Sequence, residues 1–352
     1  MTEHAVQHPA VSRFPLIDAI KAIASQLIVL HHLAFYGPMS DYARMVSPEL
    51  ITWLSQYARI AVQGFLVMGG FLAAQALAHD GRLIARPMGK LLWRRYLKLA
   101  IPYVFTLLLA VAAAAISRQL MTHDSIPEAP GIFQFIAHLL LLQGVFGFDG
   151  LSAGVWYIAI DFQLYALLLL ILRSAQQAWP ERPGFSRGCV IALIVASLYV
   201  LNRDASWDNW AVYFFGAYGL GAIAYWGTRP GQADWWAIAT AVAAAIALVV
   251  DYRSRIFVAL LVAIGLGFSR CSGIITTWPQ TRLLAWLGQI SYSVFLVHFP
   301  VCLVINAVFE RFVEHSPDLQ FTGMLLAWAA SIACGALFHR AVEQRAAGWL
   351  RR

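Results

Sequence analysis

Residues 18–36 read DAIKAIASQLIVLHHLAFY, an apolar run suited to a membrane helix that nevertheless carries Asp18, Lys21, His31 and His32. Polar groups at that depth are expensive and need a reason. Lys21 and His32 are eleven positions apart. At about 100° per residue their side chains point within about 20° of one direction, about 16 Å apart along the axis. Asp18 and Ser25 lie within about 60° of that direction, giving a polar stripe where a lipid-facing span has none. The stripe reads as half of an active site that links the two sides of a bilayer.

The rest of the chain supplies the membrane protein around it. Hydrophobic residues make up 60% of the 352 and charged residues 12%, too apolar a balance for a soluble domain of this size. Several segments reach the roughly 18 to 20 apolar residues that cross a hydrocarbon core, so the expected fold is an all-α polytopic bundle and not a barrel of short alternating strands. The opening MTEHAVQHPAVS is polar and the first apolar run is long, which suits a retained signal anchor. Cys189, Cys271, Cys302 and Cys334 stand singly, without metal-ligand spacing, and read as small packing residues. The net charge of +7 sits at the ends of apolar runs, where cytoplasmic-loop bias explains it more simply than nucleic-acid binding.

Eleven apolar segments are legible, at 14–36, 59–78, 97–117, 131–147, 154–172, 187–201, 208–227, 233–250, 256–269, 283–308 and 320–339. Basic residues mark the first (Arg13, Lys21), fill the loop after the second (Arg82, Arg86, Lys90, Arg94, Arg95, Lys98) and end the chain (Arg340, Arg345, Arg351, Arg352). Both termini are therefore expected in the cytoplasm, which requires an even number of crossings. The stretch 131–147, GIFQFIAHLLLLQGVFG, is short and carries Gln134, His138 and Gln143. It is expected to be re-entrant, leaving about ten spans, and to border a cavity, since partly inserted backbone needs protein or water around it. Arg173, Arg182, Arg187, Arg229, Arg270 and Arg282 then also fall inside, and Arg44, Arg59, Arg118, Arg203, Arg253, Arg255 and Arg311 outside. No internal repeat or duplicated half is evident. The expected organisation is one membrane domain over 14–343, with a cytoplasmic tail at 1–13 and a short basic tail at 344–352.

Four constellations carry chemistry. With the first helix running from inside to outside, Lys21 sits near the cytoplasmic face, suited to holding an anion, and His32 nearer the outer face, suited to taking a proton or carrying an acyl group. A lone membrane histidine also serves simply to bond a neighbouring helix. Arg95 and Lys98, at i and i+3, either anchor the interface with their basic neighbours or converge on a phosphorylated cofactor. Asp161, in GVWYIAIDFQLY (154–165), is a functional candidate by default or else an ion-pair partner, while Trp156 and Tyr165 suit interface and packing roles. His298 precedes Pro300 in WLGQISYSVFLVHFP (286–300) and either faces a cavity or satisfies the carbonyl that Pro300 frees. His339 and Glu343 read as a local helix pair.

In that order the motifs resemble the membrane-bound acyltransferase-3 family, from Asp18 to about Glu343. The resemblance rests on Lys21 with His32 ten intervening residues on, Gly70-Phe71-Leu72, Arg95-Tyr96-Leu97-Lys98, the Trp156 segment with Gln163 and Tyr165, and Ile290-Ser291-Tyr292-Ser293 followed by Val297-His298-Phe299-Pro300. It selects His32 over His31. The chain departs from the family pattern in three places: Lys21 and Lys98 stand where arginine is usual, and Trp156-Tyr157-Ile158-Ala159-Ile160-Asp161 replaces a Trp-Ser-Leu-x-x-Glu.

The resemblance implies an O-acyltransferase of the bacterial inner membrane, taking an acyl group, acetyl first, from cytoplasmic acetyl-CoA or another acyl-CoA. The acceptor implied is a hydroxyl of a polysaccharide or lipid-linked glycan at the outer face. His32, Asp161 and Lys21 are the implied catalytic residues, with Asp161 orienting His32. Lys21, Arg94, Arg95 and Lys98 would hold the donor, and Asp18, Trp156, Gln163, Tyr165, Ser291, Tyr292 and His298 would meet substrate. Beyond membrane lipid, no metal, tightly bound cofactor or nucleic acid is expected. The sequence leaves open whether His32 is a general base or an acyl carrier, and whether the acyl group is acetyl or succinyl. It also leaves standing a proton-coupled transporter or flippase built on the same polar residues.

Overall fold

A computed structural model describes residues 14–350. The expected tail at 1–13, with Arg13, lies outside them, as do Arg351 and Arg352. The fold is an all-α membrane bundle. Its long helices are α1 (Pro15–Phe35), α2 (Pro48–Leu77), α3 (Met88–Leu120), α4 (Val155–Ala178), α5 (Pro183–Tyr199), α6 (Ala211–Trp226), α7 (Trp235–Val250), α8 (Ser254–Cys271), α9 (Arg282–Phe312) and α10 (Pro317–Phe338). Among the described residues eight helices are long and apolar enough to cross a membrane, while α6 and α7 are apolar but shorter, at 16 residues each. The stretch given to a C-terminal tail begins helically, since α10 continues through a π turn (His339–Glu343) into Gln344–Trp349.

α1, α3 and α9 begin, and α10 ends, at one face, where Lys21, Lys98 and Glu343 feel one another's charge. Lys90, Arg94 and Arg282 belong to the same helix starts, so this is the basic face. Three arginines on the opposite side tie loops together. Arg253 and Arg255 donate to the side chain and carbonyl of Asn202, each at 3.0 Å, and Arg203 pairs with Asp251 at 3.1 Å.

α6 is the centre of the larger core, with every residue except Val212 buried. A helix apolar on all sides belongs inside. Lipid tails are as apolar as leucine, so such a helix is held by close packing of small residues and not by escape from water. The α2–α6 crossing meets that demand reciprocally: a Cβ on Gly70 would overlap the Tyr218 carbonyl, and one on Gly221 the Val67 carbonyl. Gly70, singled out by the Gly-Phe-Leu motif, thus lets two backbones touch. The second core joins α1, α2, α9 and α10. Gly288 lets α9 lie against the Asp18 carbonyl. At the other end of α1, Gly37 turns the chain at φ 98°, a conformation that favours glycine. Asn306 of α9 pins that turn by accepting from Met39 N–H at 3.2 Å, fixing α1 against α9 at both ends.

The 131–147 stretch holds one eight-residue helix, Ile132–Leu139, about 12 Å long and too short to cross. It enters the bundle and returns. The Tyr96 hydroxyl, near the basic-face end of α3, donates to the Leu139 carbonyl at 2.7 Å, Gln163 donates to Leu141 at 3.0 Å and Gln143 to Val155 at 3.2 Å. Gln134 and His138 also bond the loop that leads into α4, at Asp149 and Leu151, so the stretch borders α3 and α4, and among the described residues it makes no hydrogen bond to α1.

Gly221→Val should therefore break the α2–α6 crossing, costing about 1–3 kcal/mol or more and lowering the thermal midpoint of the detergent-purified protein. Gly265→Ala, where a Cβ meets nothing within 4 Å, should leave the midpoint unchanged or raise it slightly.

Candidate active site

The fixed α1–α9 contact brings His32 and His298 together. His32 Nδ1 lies 2.6 Å from His298 Nε2, and His298 Nδ1 lies 2.7 Å from the Phe295 carbonyl oxygen. The rings are 6° from coplanar with centroids 4.8 Å apart, the geometry of two imidazoles joined edge to edge by an in-plane hydrogen bond. A carbonyl only accepts, so His298 carries its proton on Nδ1 and accepts at Nε2. His32 must then donate from Nδ1. Its Nε2 is left with a lone pair, the form needed in a base or nucleophile.

Two expectations are corrected here. His298 serves the carbonyls of Phe295 and Val294. The carbonyl that Pro300 deprives of its helical donor is four residues back, at Leu296, and is not a partner of His298. Asp161, expected to orient His32, takes the ion-pair alternative and bonds Arg95, at 2.5 Å. The reason is position: Asp161 sits on α4 beside Gly69 of α2 and Tyr218 of α6, and His298 holds the place at His32 Nδ1. His31 is occupied elsewhere, its Nδ1 2.9 Å from the Leu54 carbonyl, and ties α1 to α2.

Arg95 and Asp161 form an ion pair whose side chains are 26% and 7% exposed. The guanidinium also lies over the Tyr165 ring at 5.2 Å. Gly69 makes room for the carboxylate, since a Cβ there would stand 3.2 Å from Oδ1. Arg95 Nε and the Tyr218 hydroxyl are buried without a partner among the described residues. Asp161 thus takes one part of the guanidinium and leaves other donors for another anion.

Nearer the basic face, Lys21, Arg95 and Lys98 lie within electrostatic reach of one another, with Asp18, Glu343 and Asp161 as the neighbouring carboxylates. Glu343 pairs with His339 Nδ1 at 2.9 Å, the expected local contact, but the same oxygen also accepts from the Ser293 hydroxyl at 2.6 Å. That second contact crosses from α10 to α9, and the π turn at His339–Glu343 re-phases the helix at this position. The remaining candidates are dispersed. Arg94 is exposed, about 100° round α3 from Arg95. Trp156 is 40% exposed and lies against Phe214. Gln163 holds Leu141, Ser291 bonds its own helix at Gly288, and Tyr292 donates to Leu99 at 3.1 Å. Their polar groups are engaged in packing.

The site therefore has two levels, a charged mouth and a histidine pair about 16 Å deeper along α1. His298→Ala, which removes the acceptor for His32 Nδ1, is expected to lower kcat about 10²- to 10³-fold while changing KM less than about twofold, measured as acyl transfer by the purified protein. Arg95→Leu or Asp161→Leu alone should each cost about 3–5 kcal/mol by stranding a buried charge. The double variant should recover much of that in the thermal midpoint.

Residues 14–340, nearly the whole described chain, match the family model described as an acyltransferase domain. No curated protein and no solved structure matches the chain.

Proposed function

The chain belongs to the membrane-bound acyltransferase-3 family, and from that premise we propose that it moves an acyl group, acetyl in the first instance, from cytoplasmic acyl-CoA to a glycan hydroxyl at the opposite face. The observation that carries this reading is the 2.6 Å contact of His32 Nδ1 with His298 Nε2, which leaves His32 Nε2 to act as the base at a depth that a thioester can reach from the charged mouth. Coenzyme A phosphates would lie on Lys21, Lys98 and the free edge of Arg95, with Asp161 holding that guanidinium in place. Donor binding sets the basic face in the cytoplasm, which in a bacterium makes this an inner-membrane protein and agrees with the loop charges.

The chemistry needs one proton relay. The acceptor hydroxyl gives its proton to His32 Nε2 as its oxygen attacks the thioester carbonyl, forming a C–O bond. The C–S bond then breaks, and the thiolate takes that proton from His32. While His32 is an imidazolium, its Nδ1–H bond to His298 Nε2 strengthens, so the second imidazole stabilises charge where it develops. The acceptor favoured is a lipid-linked or growing polysaccharide, which can present its hydroxyl at the outer face nearer His32.

Two measurements test this together: coenzyme A binding to the purified protein, competed by acetyl-CoA, and mass spectrometry of surface polysaccharides from cells with and without the gene. Saturable binding and an acyl ester that disappears both without the gene and with a correctly inserted His32→Ala variant are the expected results. Undetectable coenzyme A binding with unchanged glycans would favour a proton-coupled transporter or flippase; normal acylation by His32→Ala would remove the histidine from the reaction.

A further inference from the structure

A second built feature lies on the far side of α6 from the histidine pair. Between α6, α7 and α8 is an apolar cavity of about 550 Å³, lined by Ile223, Ala237, Ala241, Leu260 and Ala263 among others. Its lips, Ile238, Ile264 and Phe268, are 50–66% exposed on the outer surface of the bundle, where lipid lies. The two-stranded hairpin Thr228–Arg229 with Gln232–Ala233 closes its basic-face end. On the other side of Thr228, which lines both spaces, is a polar cavity of about 220 Å³ walled by His79, Asp80, Arg187, Arg229 and Arg270.

The arginines are arranged for an anion that the chain does not supply. Arg270 is held over the Tyr225 ring at 4.0 Å and donates to the carbonyls of Tyr225 and Thr228. Arg187 lies over the Trp236 ring at 5.4 Å and donates to the Asp80 carbonyl at 3.4 Å, while its buried Nε has no partner among the described residues. Among the described residues neither has a carboxylate within 4 Å; Arg229 has Asp234 at 3.7 Å, and the Asp80 side chain is 88% exposed beside His79. Gly81, at φ 78°, brings the loop against Arg187 where a Cβ would collide with the guanidinium. Fixed guanidiniums beside a lipid-facing apolar groove match a ligand with a phosphate at one end and hydrocarbon at the other.

We propose that this is a site for an anionic phospholipid of the basic-face leaflet, with an acyl chain in the α6–α7–α8 groove and the phosphate among Arg187, Arg229 and Arg270. The chain would fill the space beside α7, which buries only Thr240, Ala244 and Ala247 against protein. Charge complementarity selects this occupant over a zwitterionic lipid, whose choline would add a cation beside three guanidiniums.

Native mass spectrometry of the full-length, detergent-purified protein tests it, with phosphatidylglycerol and phosphatidylcholine of identical chains as probes. Phosphatidylglycerol should be retained about tenfold more tightly. Arg187→Gln/Arg229→Gln should erase that preference, and Arg229→Gln alone, at a side chain 61% exposed and so harmless to folding, should reduce it. Ala241→Phe should weaken both lipids. Equal retention of the two lipids by the unmodified protein, or a preference that survives Arg229→Gln and the double change, would overturn the proposal. So would displacement of phosphatidylglycerol by inorganic phosphate at similar concentration, which would make the polar cavity a site for a free anion.

Discussion

A carbonyl oxygen can accept a hydrogen bond but never donate one, and at Phe295 this one-sidedness decides the protonation of two histidines in series. His298 must donate to it, so His298 must accept from His32, and His32 is left with its lone pair on the ring nitrogen that His298 does not occupy. The arrangement needs no carboxylate beside His32. Its cost is geometric: α1 and α9 must hold two rings nearly coplanar. Gly288 against Asp18, and Asn306 against the turn at Gly37, are the contacts that keep those helices in register.

The same scarcity of water governs the charged groups. Asp161 is buried in a membrane bundle and Arg95 partly so, and they are tolerated there because they neutralise each other, and the missing Cβ at Gly69 is what lets the carboxylate approach. Glu343 is held by Ser293 and His339 opposite Lys21 and Lys98. The mouth is thus a near-balanced set of cations and carboxylates. A polyanionic donor suits such a set because it can draw on donors, such as Arg95 Nε, that the protein leaves unused.

What was legible in the chain followed from periodicity along single helices. The Lys21–His32 spacing put charge and imidazole on one face, and the short, glutamine-bearing 131–147 run could not be a full span; its eight-residue helix agrees. Contacts between helices were not legible, because they depend on how each helix is rotated against its neighbour. Hence His298 reads as a partner of its own carbonyls or of a cavity, when its other nitrogen meets His32 from a residue 266 positions away. Asp161 likewise carried no mark of facing Arg95 instead of His32. Glu343 looked like half of a local pair, since nothing in the i, i+4 spacing announces a π turn aimed at Ser293. Gly70 was visible as a motif, but its use, a backbone crossing with α6, required the partner Gly221.

The direct test of the histidine relay is its protonation pattern. Solid-state ¹⁵N NMR of the histidine-labelled protein in lipid, with His32 assigned from the difference spectrum against His32→Ala, should show a neutral ring protonated at Nδ1 and bare at Nε2. The signal should shift when His298 is replaced by alanine. A His32 ring protonated at Nε2, or one indifferent to His298, would contradict the relay and with it the role of His32 as the group that receives the acceptor's proton.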